Sequence, residues 1–181
     1  MNKANVIAME IIDKFAAYLA ELGCNIAEHK EKLVAEVTAA MKSEIILTID
    51  PVRMGIDAFL SYDRVNDRQM LHTYAQTVRN DLEESAGMWR TNDELATKLI
   101  LMVQDMILPN FLEDREIIAL KCKVADTLSE QVAQSMMDEL VSVLDFRVLD
   151  TYNKDELLEL LKDFSENKML TFRDSFIKEE N

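Results

Sequence analysis

Two histidines and two cysteines are the residues of this chain best suited to nucleophilic or metal chemistry, and neither pair is arranged for it. A catalytic Ser or Cys needs a base, normally His, oriented by a third group. Cys24 and Cys122 lie far apart and show no CxxC spacing, and only Lys121 and Lys123 give Cys122 a basic neighbourhood. Both read as core or surface thiols. Metal sites in helical bundles pair carboxylates with Glu-x-x-His. Ile26 precedes His29 by three positions and Gln69 precedes His72, so that motif is missing. Glu28/Glu31, Glu113/Glu116 and Glu156/Glu159 have the spacing of an all-carboxylate Mg²⁺ site in a hydrolase. Helix starts favour acids through the macrodipole, which accounts for such pairs without a metal. Three glycines cannot build a phosphate loop. The expectation is a non-enzymatic protein with no catalytic residue, no metal and no cofactor.

Two groups of side chains could still bind something. Residues 51–110 contain five arginines and one lysine, together with the only tryptophan. Arg64, Arg68 and His72 recur every four positions and share a helix face if that helix starts as early as Asp63. Guanidinium forks hold carboxylate or phosphate bidentately. Arg53, Arg64, Arg68, His72 and Trp89 therefore form a candidate anion pocket of a helical sensor. The competing reading pairs these arginines with Asp57, Asp63, Asp67 and Asp81 on the protein's own surface.

The second group is acidic. The net charge is −14, and residues 111–181 carry 17 acids against 9 bases, which is −8 of that total. Glu130, Asp138, Glu139, Asp145, Asp150, Glu156, Glu159 and Asp163 concentrate it. Carboxylates four residues apart on a helix are spaced about 6 Å along the axis, close to the phosphate pitch of a nucleic acid strand. Such a face can occupy a groove that a basic protein keeps for DNA or RNA. The chain itself should be repelled by nucleic acid and by anionic membranes, and attracted to basic partners. The leading expectation is thus an inhibitor-like binding protein engaging a basic protein partner. Inhibitors of nucleic-acid enzymes, immunity proteins against toxins and anti-defence proteins of viruses share this physical description. The bland alternative is charge that only keeps a small protein soluble.

The elements that must position these groups are helices. Gly (3) and Pro (2) are too scarce for a β-rich fold, which needs turn residues every 8–12 positions or so. At 181 residues the chain suits one helical domain, with sub-boundaries at Asp50-Pro51 and at Pro109. Helix one should run from about Asn2 to Leu22, ended by Gly23 in a left-handed conformation. Asn25 with Glu28 should open helix two, and Asp50-Pro51 should end it by capping a short third helix. Asn66/Gln69 and Thr91/Glu94 cap two more, ending near Gly87 and before Pro109. No turn signal interrupts Phe111 to Thr151, and Val124, Leu128, Val132, Met136, Leu140, Leu144 and Val148 follow at steps of four. That row over-rotates by about 40° per step. It predicts a long central helix after Pro109, contacted on several sides, with a break near Asp145–Phe146 as the alternative. Asn153 with Glu156 caps a further helix, Asn167 can close it, and Thr171 with Asp174 can open a last one.

The fold class is therefore all-α, a compact bundle of six to eight helices around the long helix. The alternative architecture is an elongated homodimer that pairs or exchanges long helices. Eleven methionines suit irregular cores or surfaces that re-form around partners. No signal peptide is evident, and the nearly apolar stretch Leu99 to Leu108 contains Gln104 and Asp105 and is too short to cross a bilayer. With two free thiols, a cytoplasmic protein is expected.

Overall fold

Residues 1–62, 67–87, 91–107 and 113–179 are described by the computed structural model. Their regular structure is helical, with no strand among the described residues, as the composition requires. Helix α1 spans Lys3–Glu21. Its N-cap is Asn2, whose side chain accepts the Asn5 N–H at 2.9 Å. Gly23 follows at φ +80°, the left-handed conformation expected of it. The Asn25 side chain accepts the Ala27 N–H at 2.9 Å and leads into a 3₁₀ turn, Ala27–His29.

Helix α2 then runs from Lys30 to Leu60 with Pro51 inside it, which corrects the boundary expected at Asp50-Pro51. Proline deprives the Leu47 carbonyl of its helical donor. Both residues lie on the exposed side of α2, where water can satisfy that carbonyl. Asp50 is also not free to cap. Its Oδ1 lies 3.1 Å from Arg173 Nε and 3.8 Å from Arg53 Nη1, paired by charge without the angle of a hydrogen bond. The inward face of α2 buries Leu33, Val37, Met41, Ile45, Ile49 and Ile56.

Helices α3 (Arg68–Gly87) and α4 (Thr91–Ile107) follow, and the stops expected after Gly87 and ahead of Pro109 fall among residues outside the described ones. The caps assigned to Asn66, and Pro109 itself, lie outside the described residues. Helix α5 spans Asp114–Glu139 and does not continue to Thr151. A 3₁₀ turn, Val141–Leu144, and a four-residue helix α6, Phe146–Leu149, replace the rest. Asp145 separates the 3₁₀ turn from α6. Its backbone is extended (φ −58°, ψ 129°) and its side chain accepts the Arg147 N–H, a role that a helix interior would deny it. The four-step row stays buried as far as Leu144, after which Leu149 turns inward while Val148 is partly exposed.

Helix α7 (Lys154–Asp163) opens with a complete capping box: the Asn153 side chain accepts the Glu156 N–H, and the Glu156 carboxylate accepts the Asn153 N–H. Asn167 does not close it. A π-helical segment, Phe164–Lys168, passes directly into α8, Met169–Ile177, so Thr171 and Asp174 lie inside a helix. That continuity has an apolar cause, because Phe164, Met169, Phe172 and Phe176 are all buried.

The chain forms two compact units, each assembled from separated segments. Unit 1 comprises residues 1–44, 89–131 and 176–181. Its core includes Ile11, Phe15 and Leu19 of α1, Leu99 and Val103 of α4, and Val124 and Leu128 of α5. Asn2 donates to the Glu179 carboxylate at 2.7 Å, tying the two ends of that unit together. Unit 2 comprises residues 45–88 and 132–175, with α3 packed on α6, α7 and the 3₁₀ turn between α5 and α6. Leu71, Ala75, Val78, Leu82, Leu157 and Leu161 are among the side chains it buries.

Candidate functional site

Unit 2 carries most of the charge that the last third of the sequence contributes, and its helices decide which of those carboxylates face outward. The capping box fixes the start of α7, and burial of Leu157 and Leu161 sets its rotation. Glu156, Glu159 and Asp163, at i, i+3 and i+7, then share one outward face. With Tyr152 and Leu160 they line an open groove of about 370 Å³ that no basic side chain among the described residues lines. Tyr152 and Leu160 were not foreseen as part of this surface. Their signal is the same i, i+4 geometry continued across the cap, which shows only once the turn at Asn153 is folded.

The remaining acidic candidates have local duties. Asp138, on α5, accepts from Gln134 Nε2 at 2.7 Å, and both Asp138 and Glu139 at the end of that helix are exposed. Asp145 caps α6 and also meets Arg147 Nη2 at 3.1 Å. The side-chain and backbone hydrogen bonds from Arg147 hold its carboxyl below the ordinary aspartate value. Asp150 receives His72 Nε2 at 2.9 Å. Within the groove, Asp163 accepts from Asn167 Nδ2 at 2.7 Å. Glu130 is exposed on the part of α5 that belongs to unit 1.

The arginine group is distributed differently. Arg64 and Trp89 lie outside the described residues, and α3 begins at Arg68. Arg68 spends its guanidinium on three carbonyls at the α6–α7 turn: Nε on Tyr152 at 2.7 Å, and Nη2 on Asp150 at 2.9 Å and Leu149 at 3.4 Å. His72 is buried, edge-on to Phe146 and bonded to Asp150. Arg53 Nε donates to the Ser165 carbonyl at 3.0 Å, and buried Ser165 donates its hydroxyl to Asp57 at 2.6 Å. An incoming carboxylate or phosphate would have to displace these bonds. Arg68 and His72 are therefore brought together, but around the protein's own backbone.

Nor do the carboxylate pairs converge. Glu116 accepts the Glu113 N–H at 2.9 Å and Glu156 serves its capping box, so both are spent at helix starts. Among the described residues, no three of His, Cys, Asp and Glu gather closely enough to hold a metal ion. No described helix is long and apolar enough to cross a membrane. Cys24 is buried, and burial and then the charge of Glu116 push its thiol above the ordinary value, which disfavours a thiolate. Cys122 is exposed. Comparison with protein-family models, with curated proteins and with solved structures found no match to the chain.

Proposed function

We propose that the protein acts by binding rather than by catalysis, docking the acidic surface of unit 2 on a basic protein such as a nucleic-acid-handling enzyme, a toxin or a defence protein. The observation that carries this reading is the α7 groove, where three carboxylates flank Tyr152 and Leu160 with no base among them. An arginine or lysine suits that arrangement. Its aliphatic stem packs on the apolar floor, its head meets the carboxylates, and the tyrosine ring adds a cation–π attraction. Exposed Asp138 and Glu139 extend the negative field of the same unit and steer association.

The test is affinity capture from the source cell's lysate at low salt, eluted with a salt gradient, using the wild type and a triple reversal. Asp138→Lys, Glu139→Lys and Glu159→Lys are the appropriate changes, because Asp145, Asp150 and Glu156 bond backbone N–H groups or the buried His72, whereas the bond that Asp138 accepts comes from the exposed Gln134 side chain. A basic protein retained by the wild type, released at moderate salt and lost from the helical variant supports the reading. Equal retention by both forms, or an empty column, counts against it.

A further inference from the structure

The backbone of Tyr152 is tied down on both sides. Its N–H donates to the Leu149 carbonyl at 3.4 Å, and its own carbonyl accepts Arg68 Nε at 2.7 Å. Before it, Thr151 donates both its N–H and its hydroxyl to the Val148 carbonyl. After it, Asn153 enters the capping box of α7. Little freedom is left to the ring beyond its own two side-chain torsions. The rest of the Arg68 guanidinium binds the Asp150 and Leu149 carbonyls, and His72, one α3 turn on, holds the Asp150 carboxylate. Helix α3 thus decides where Tyr152 stands at the N-terminal end of the α7 groove. There Tyr152 and Leu160 are half-buried while Glu156 and Glu159 are exposed, which gives the groove an apolar floor and a charged rim.

Arginine and lysine carry the same charge and differ in its shape. A guanidinium is planar and weakly hydrated, stacks on an aromatic face and offers paired donors to a carboxylate. An ammonium is a compact, strongly hydrated point charge. Carboxylates alone attract both. A ring fixed beside carboxylates separates them, because only the guanidinium can lie plane against plane with it. Resting on the docking proposed above, we infer that Tyr152 makes the α7 groove select arginine over lysine, and that Arg68 is the positioning residue that holds the tyrosine ready. The occupant is an arginine-bearing segment of the basic partner. Charge complementarity supports it, since three carboxylates and no base among the described residues line the groove. So does pre-organisation, because a ring already fixed gives up little freedom when it is covered. Two other tyrosine rings are already engaged, Tyr18 by Lys123 Nζ at 3.7 Å and Tyr74 by stacking on Phe59.

Blocked hexa-arginine and hexa-lysine peptides separate this contact from the general field, since a net charge of −14 attracts both alike. Calorimetric titration of each peptide into the full chain gives the ratio of the two dissociation constants. The wild type should bind hexa-arginine more tightly by about threefold or more, the equivalent of one exposed cation–π contact. Tyr152→Leu should lower that ratio by weakening the arginine peptide, and Tyr152→Phe, which keeps the ring, should preserve it. Tyr62→Leu, a change to an exposed tyrosine outside the groove, should leave the ratio unaltered. Arg68→Lys keeps the net charge and should also lower the ratio. Lost stability alone would weaken both peptides together, and circular dichroism verifies that each variant is folded. Glu159→Lys should weaken both peptides. If it does, a wild-type ratio near one, or a ratio indifferent to Tyr152→Leu, overturns the inference while the docking reading stands. A ratio indifferent to Arg68→Lys overturns the role given to Arg68. Peptide binding indifferent to Glu159→Lys overturns the docking reading and this inference with it.

Discussion

Arg68 of α3 donates its Nε hydrogen to the Tyr152 carbonyl at 2.7 Å, joining positions 84 residues apart. The second arm of the same guanidinium reaches the Asp150 and Leu149 carbonyls. Those acceptors belong to the end of α6, a four-residue helix that could not persist alone. Arg68→Ala should therefore lower the free energy of unfolding by about 2–3 kcal/mol, since hydrogen bonds to a charged donor are among the stronger ones. Arg68→Lys should recover less than half of that loss, because one ammonium cannot reproduce a fork spread over three carbonyls. Urea unfolding of the two variants distinguishes this clamp from a charge that merely sits nearby.

The helix after that clamp is set by Ser165 and Phe164. Phe164→Ala should cost about 3–5 kcal/mol, the usual range for emptying a buried aromatic site. Ser165→Ala should cost about 1 kcal/mol by removing the hydroxyl that Asp57 accepts. Thermal melts of both would show a ratio near unity if the π segment were held by its polar bonds instead of its core.

Two carboxyls shift in opposite directions, and their effects on acid stability oppose each other. Hydrogen bonding by Arg147 lowers the Asp145 value below 3.8, so its contribution is present above 3.8 and lost as pH falls through the lowered value. In unit 1, burial and then the charge of Glu94 raise Glu44 above 4.5, so its contribution is present below 4.5 and lost as pH rises through the raised value. Asp145→Asn should flatten the loss of stability on acidification below about pH 4. Glu44→Gln should raise the melting temperature at neutral pH, with the gain vanishing by about pH 4. A gain for Glu44→Gln that persisted in acid would show that burial of charge was not its cause.

Pro51 stands inside α2 at a cost that alanine would not carry. Pro51→Ala returns an N–H to the Leu47 carbonyl and should stabilise the fold by roughly 2 kcal/mol, the helix gain of about 3 less the proline's rigidity in the unfolded chain. A destabilised variant would mean that α2 depends on the geometry the proline imposes.

Local signals were legible in the sequence wherever one side chain decides the backbone. Gly23 and the Asn153/Glu156 box are of this kind. Pro51 and Asp145 misled for the reason that capping is a competition. Asp50 looked like a cap and became a partner of Arg173, whereas Asp145 looked like a helix interior and became a cap. For Asp50 the role is decided by a charge from more than a hundred residues away, which spacing along the chain does not contain, whereas for Asp145 it is decided by the neighbouring Arg147. The acidic character of unit 2 was plain from composition. That Asp145, Asp150 and Glu156 would have local bonds while Glu159 faces the groove emerges only from the turns. The outward row of α2 was written in the spacing of Leu47, Pro51, Met54 and Ala58, but an expected helix end at Asp50 cut it in two.

The interleaving of the two units constrains the order in which the chain can fold. Residues 45–88 of unit 2 lack their complement until residues 132–175 are available, and unit 1 recruits residues 176–181 last. A nascent chain cut before α7 leaves α3 without Leu157 and Leu161, part of the core that it is packed against. Pairing of segments this far apart in the chain slows folding and prolongs contact with chaperones. Arrest-peptide force profiles should accordingly register unit 2 only after α7 and α8 have left the ribosomal tunnel.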